Sequence, residues 1–355
     1  MNNLNHPTSQ AIRSQSDALA QAIVERQYGL QPGTWQAFGA SGHQKSLRDA
    51  GYHLAYLSEA IANDAPVLFA DYIIWVKALF VGLNFPSDVV AKTLDATLIV
   101  VREQLAPEMA ALIEEYLAVG LERLRDAPAV PPLFVNGNLP LGGLAKDYLD
   151  ALLGGERQIA SRLILDAVAR GVVVKDIYLH VFQRVQYEIG RLWQINRISV
   201  AQEHFCTAAT QLIMSQLYPH IFRTERAHRC MVATCVGGEL HEIGVRMVAD
   251  FFEMAGWDTY YLGANTPTGG ILRTLDERRA QVLCISATIT FHVSDVADLI
   301  AQVRASDVGK RVKILVGGYP FNISETLWQS IHADGYGRDA QHAIAVANEL
   351  IGAYD

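Results

Sequence analysis

The 355-residue chain is 50% hydrophobic and 19% charged, a composition that supports about two to three domains with packed cores. A formal net charge of −8 with no basic cluster excludes a nucleic-acid footprint, and no apolar stretch is long enough to span a membrane. The four cysteines, Cys206, Cys230, Cys235 and Cys284, lack metal-type spacing and lie in apolar surroundings, as reduced thiols of a cytoplasmic protein do.

The first residues, Met1-Asn2-Asn3-Leu4-Asn5, lack the basic and apolar regions of a signal peptide. About fifteen polar residues open the chain and read as a frayed arm or a short helix. From Leu47 to Asp126, apolar residues recur at three- and four-residue steps (Leu54, Leu57, Ile61; Phe69, Ile73, Val76, Phe80; Val90, Leu94, Leu98, Val101), predicting an all-helical domain of about four or five helices. Its most hydrophobic stretch, Val67 to Phe85, is interrupted by Asp71 and Lys77 and reads as a buried helix. Residues 126–143, rich in proline and glycine, form the clearest linker. Four further helices between Leu144 and Phe222, joined by short connections, read as a bundle. From Arg229 onward, strands (Cys230–Cys235, Thr259–Leu262, Val282–Ser286, Val312–Val316) alternate with helices, which predicts a parallel, doubly wound sheet. The expected domains are therefore 1–140, 141–225 and 226–355.

In such a sheet, ligands bind beyond the carboxyl ends of the strands, and three features fall there. The stretch Val236-Gly237-Gly238-Glu239-Leu240-His241-Glu242-Ile243-Gly244 follows the first strand, Ser286-Ala287-Thr288 ends the third, and Gly317-Gly318 ends the fourth. An imidazole is a metal ligand, and a carboxylate two residues before it is placed to hold the other ring nitrogen. Taken singly, each feature has a plain structural reading: a surface histidine on a loop, a hydroxyl at a strand end, a glycine pair in a turn.

Together, Glu239-x-His241-x-x-Gly244, Ser286-x-Thr288 and Gly317-Gly318 resemble the cobalamin-binding signature of B12-dependent mutases, methionine synthase and corrinoid proteins, in which aspartate and leucine stand where this chain has Glu239 and Thr288. The resemblance implies a flavodoxin-like domain in which His241 is the lower axial ligand of cobalt. Ser286, Thr288, Gly317 and Gly318 would line the slot for the cofactor's displaced tail.

In the preceding bundle, Trp193 ends the third helix and Ser199-x-x-Gln202 has the form of a capping box opening the fourth. Core packing for Trp193 and a solvated first-turn Glu203 is the ordinary reading of these residues. Trp193, nine residues, then Glu203-His204, however, resembles the motif of B12-dependent photoreceptors, whose tryptophan and glutamate contact an adenosyl group above the cobalt. Those photoreceptors have a histidine after the tryptophan, whereas this chain has Gln194.

The N-terminal domain, with nine Lys and Arg against fourteen Asp and Glu in residues 1–140, is no DNA reader. It resembles a globin-like sensor domain, as in the photocobilins, which also bind biliverdin. That resemblance implies Arg48, His53 and Lys77 for the bilin propionates, with Tyr72 or Trp75 stacking on the pyrroles. An interaction or dimerisation domain with these aromatics in its core fits the same residues.

The expectation is a cytoplasmic light sensor rather than an enzyme, binding adenosylcobalamin with biliverdin as a second chromophore. It would act as a homo-oligomer whose state changes with light, or through a separate output partner. The alternatives are a corrinoid methyl carrier serving methyltransferases and a haem-binding sensor on the same fold.

Overall fold

A computed structural model describes residues 3–35, 39–222 and 229–352. The expected boundary between residues 225 and 226 lies outside the described residues. The chain divides into two compact units: residues 1–130 with 289–294 and 323–330, and residues 131–288 with 295–322 and 331–355.

The first unit is helical, with α1 (Asn5–Ser14), α2 (Ser16–Leu30), α3 (Pro32–Trp35), α4 (Gly39–Ala62), α5 (Pro66–Gly82), α6 (Val89–Gln104) and α7 (Pro107–Asp126). Pro66 and Pro107 open α5 and α7, where a missing N–H costs nothing. α5 buries Leu68, Phe69, Tyr72, Ile73, Val76 and Phe80, as its hydrophobicity predicts. The opening residues form the short helix α1, with Ile12 in the core, rather than a frayed arm, and α2 buries Leu19, Ile23 and Val24. α2 carries its apolar face largely on alanine and single aliphatics, a weak periodic signal.

The second unit begins with α8 (Gly142–Leu153), α9 (Arg157–Ala169), α10 (Val174–Ile177), a π-helical turn (Tyr178–Phe182), α11 (Gln183–Gln194), α12 (Val200–Gln216) and α13 (Tyr218–Ile221). Ser199 caps α12, accepting from the Gln202 amide while the Gln202 side chain accepts from the Ser199 amide. The bundle core (Tyr148, Ile164, Tyr178, Phe182, Ile213, Met214) continues into Met247 and Phe251 of the helix that follows the first strand.

The sheet comprises β1 (Cys230–Cys235), β2 (Asp258–Gly263), β3 (Val282–Ser286), β4 (Lys313–Gly317) and β5 (Gly335–Gly337), all parallel, in the order β2-β1-β3-β4-β5. The connecting helices are α14 (Ile243–Met254), α15 (Thr268–Glu277), α16 (Val293–Ala305), α17 (Tyr319–Ile323) and α18 (Leu327–Ser330), and α19 (Ala340–Gly352) closes the chain. A helical N-terminal region followed by a five-stranded, Rossmann-like sheet agrees with the multidomain fold expected. The order reverses between β1 and β3, which puts the binding crevice at their carboxyl ends.

Candidate cobalamin site

Register brings the sequence features into one row. Cys235 pairs with Ser286, Ser286 with Gly317, and Gly317 with Gly337, so the turns after β1, β3 and β4 leave the sheet side by side. Gly318 has φ +105°, and a Cβ there would lie 2.0 Å from the Ala287 carbonyl oxygen. Only glycine lets the two turns approach this closely.

Glu239 is wholly buried at the root of the first turn. Its Oε1 accepts from His241 Nδ1 at 2.6 Å and from the His241 amide at 3.0 Å, while Oε2 accepts from the Thr288 amide at 2.7 Å. One carboxylate therefore fixes the histidine ring and ties the β1 turn to the β3 turn across the switch point. Burial pushes the Glu239 carboxyl upward, but these hydrogen bonds outweigh it and hold the group at about 2. The same bond to Glu239 raises the His241 ring above its ordinary value, against burial and with help from the charges of Glu239 and Glu203. With 57% of the His241 side chain exposed and Nδ1 engaged, the ring nitrogen left for a ligand is Nε2. A carboxylate behind an imidazole fixes the tautomer and raises ligand basicity, as it does behind metal-binding histidines. Leu240, beside it, is 69% exposed. Gly244 opens α14 with free space where a Cβ would stand.

The bundle supplies the facing surface. Glu203 exerts its charge on His241 and pairs with His204 Nδ1, and His204 is otherwise exposed. Trp193 is half-buried at the end of α11, and the adjoining Gln194 is buried. Three residues that sequence reasoning missed hold the site together, Glu242 and Arg246 by fastening bundle to sheet and Asn265 by tying the turn after β2 to the turn after β1. Glu242 Oε1 accepts from Gln211 Nε2 of α12 at 3.0 Å, and its Oε2 accepts from the Tyr261 hydroxyl at 3.0 Å and the Ala264 amide at 3.2 Å. Arg246 donates to the Gln211 carbonyl at 3.1 Å and to Ser215 Oγ at 2.7 Å. Asn265, left-handed at φ 56°, accepts from the Gly238 amide at 2.6 Å. Glu242 adjoins His241 in sequence, yet its partners come from α12 and β2, which no local pattern reveals.

In the first unit, Tyr72 is the hub of the residues expected around a bilin. His53 Nδ1 lies 2.7 Å from the Tyr72 hydroxyl, Tyr56 stacks on Tyr72 at 3.6 Å, and Trp75 lies nearly parallel at 6.4 Å. Desolvation pushes the His53 ring down to about 4. Lys77 donates to the carbonyls of Leu124 and Ala127 at 2.9 and 2.6 Å, capping the end of α7, and Arg48 is exposed. The structure thus joins His53, Tyr72 and Trp75, while Lys77 is engaged elsewhere.

Residues 229–345 match the model of the B12 binding domain, and residues 144–218 match a second B12 binding domain model. The chain carries B12-binding domains. A corrinoid protein of Desulfitobacterium hafniense is 23% identical over 214 residues, covering 59% of this chain and 98% of that protein. Trimethylamine corrinoid protein 1 of Methanosarcina acetivorans is 23% identical over 207 residues, 57% of this chain and 94% of that protein. Dimethylamine corrinoid protein 3 of the same organism is 30% identical over 116 residues, and this match spans about half of its length. The solved monomethylamine corrinoid protein of Methanosarcina barkeri aligns over 59% of this chain and all of its own, with TM-score 0.54 and 21% identity, which establishes a shared fold.

These findings overturn the light-sensor expectation. The relatives named above are corrinoid proteins, and two of these matches run over nearly their whole length, whereas the sensor reading rested on Trp193, Glu203 and His204 and on the resemblance of the N-terminal domain to the photocobilins. Cobalamin stands as the cofactor. Among the described residues, no helix is long and apolar enough to cross a membrane.

Proposed function

We propose that this chain is a corrinoid methyl carrier, holding cobalamin between the bundle and the carboxyl edge of the sheet and presenting it in turn to two methyltransferases. The observation that carries the reading is the Glu239–His241 pair at the β1/β3 switch point, with Nδ1 engaged and Nε2 left for a ligand on a half-exposed side chain. Bound cobalamin supplies a cobalt that takes up and gives up a methyl group. His241 would hold the cobalt through Nε2, and Glu239 would keep the neutral ring's proton on Nδ1 and the ring aimed. The Ser286 and Thr288 hydroxyls and the close turn at Gly318 would border the cofactor's tail. Exposed Leu240 would cover apolar surface beside it.

A carrier and a switch differ in linkage. A carrier must keep its cofactor through the methylated and unmethylated states, so its affinities for the two are similar, whereas a switch requires them to differ strongly. The purified chain is expected to bind methylcobalamin and hydroxocobalamin with dissociation constants within a few-fold of each other. Preference for adenosylcobalamin over both by more than about a hundredfold would defeat the carrier reading and favour an adenosyl upper group against Trp193 and Glu203. For the first unit, the stack of Tyr56, Tyr72 and Trp75 beside His53 is the observation that bears on a bilin, and a far-red band on adding biliverdin is its test.

A further inference from the structure

One face of α12 is polar where it turns into the molecule. Glu203, Thr207 and Thr210 follow one another at four- and three-residue steps, and Gln211 stands four residues past Thr207. Gln211 is held by Glu242. The other three belong to a continuous chain of hydrogen bonds through the bundle. The Tyr148 hydroxyl meets Thr210 Oγ1 at 3.0 Å, Gln186 Nε2 donates to Thr210 Oγ1 at 2.9 Å, and Thr207 Oγ1 lies 3.3 Å from Gln186 Oε1 and 3.0 Å from Glu203 Oε1. Tyr148 and Thr210 are fully buried. Burial holds Tyr148 protonated, since it raises the phenol far above its ordinary value. A polar chain in a bundle core is costly unless every member is satisfied, and here it leads to one carboxylate, whose charge reaches His241.

We infer that Thr207, with Gln186 behind it, is a positioning residue that sets the Glu203 carboxylate over the His241 end of the sheet. Thr207 has one hydroxyl proton and two acceptors, the Glu203 carboxylate and the Gln186 amide oxygen. The ionised carboxylate is the stronger acceptor and the nearer one. When Glu203 turns toward a bound corrin, the proton falls back to Gln186, so no buried donor is stranded. With Gln186 Nε2 given to Thr210, its Oε1 is the atom that faces Thr207. The remaining oxygen of Glu203 meets His204 Nδ1, so the chain also sets which nitrogen of His204 carries its proton.

The part of this inference that concerns the corrin rests on the carrier reading, and the test separates the two. In the cobalamin-free chain, ring 15N shifts of His204 at pH 8 are expected to show the Nδ1–H tautomer in the native protein and in Thr207→Ser. In Thr207→Val they should move toward the Nε2–H tautomer usual for a free imidazole. Unchanged shifts in Thr207→Val, or a Thr207→Ser protein that behaves like Thr207→Val, would overturn the inference whatever the cofactor. If Thr207→Val does not fold, Gln186→Met removes the backing amide and carries the same readout. With methylcobalamin, Thr207→Val is expected to bind about tenfold more weakly and Thr207→Ser within about twofold of native, the size of one hydrogen bond to a charged group. Equal affinity of the native and Thr207→Val proteins would refute the positioning role. A native chain that takes up no methylcobalamin would sink the carrier reading, and the tautomer measurement would still decide the role of Thr207.

Discussion

Asp250 offers a quantitative test of how the bundle is joined to the sheet. It lies on α14, 7% exposed, and its Oδ2 accepts from the Tyr178 hydroxyl of the π-helical turn at 2.7 Å. Desolvation raises its carboxyl from 3.8 to about 6, overcoming the opposing effects of the Tyr178 bond and the Arg246 charge, with Glu253 adding repulsion. A raised carboxyl binds its proton more tightly in the folded state than in the unfolded one. Its contribution to stability is therefore full below the unfolded value and is lost as pH climbs from about 4 to about 6. Two units at 1.36 kcal/mol each put the net cost of the buried charge, with Arg246 already counted, at about 3 kcal/mol. Asp250→Asn keeps an oxygen for Tyr178 and removes the charge. In urea unfolding followed by tryptophan fluorescence, the variant should be the more stable protein at pH 8, by up to about 3 kcal/mol, with the gap closing as pH falls to about 4. A gap that stays constant between pH 8 and pH 4.5 would refute the assignment of a buried, costly carboxylate at this seam.

Three substitutions at the cofactor site complete the set. His241→Ala should abolish the spectral signature of imidazole coordination in bound cobalamin, while Glu239→Gln should keep that signature and weaken retention by about 10–100-fold, the usual effect of losing a ligand's supporting partner; equilibrium dialysis and absorption spectra read both. Gly318→Ala forces a Cβ to within 2.0 Å of the Ala287 carbonyl at a left-handed φ, so the β3 and β4 turns must part at a cost of about 1–3 kcal/mol, seen as a lowered melting temperature together with weakened cobalamin uptake.

Legibility followed sequence distance. Glu239 and His241 are two residues apart on one turn, and the features beside them stand at strand ends that β-branched runs announce, so their convergence at one sheet edge could be read from spacing. β5 could not, because Gly335-Tyr336-Gly337 has no apolar run and exists as a strand only through its pairing with β4. Glu242 and Gln211, 31 residues apart, and Thr207 and Gln186, 21 apart, meet only after α11 and α12 have packed. The error over function has the same root. Trp193, Glu203 and His204 match a pattern tied to an adenosyl group, yet the Glu203 carboxylate is already accounted for by Thr207 and His204 within the chain itself. What separates a carrier from a switch is the difference in binding free energy between two states of the cofactor, and that difference is spread over packing and hydrogen bonds between helices rather than written in any motif's spacing.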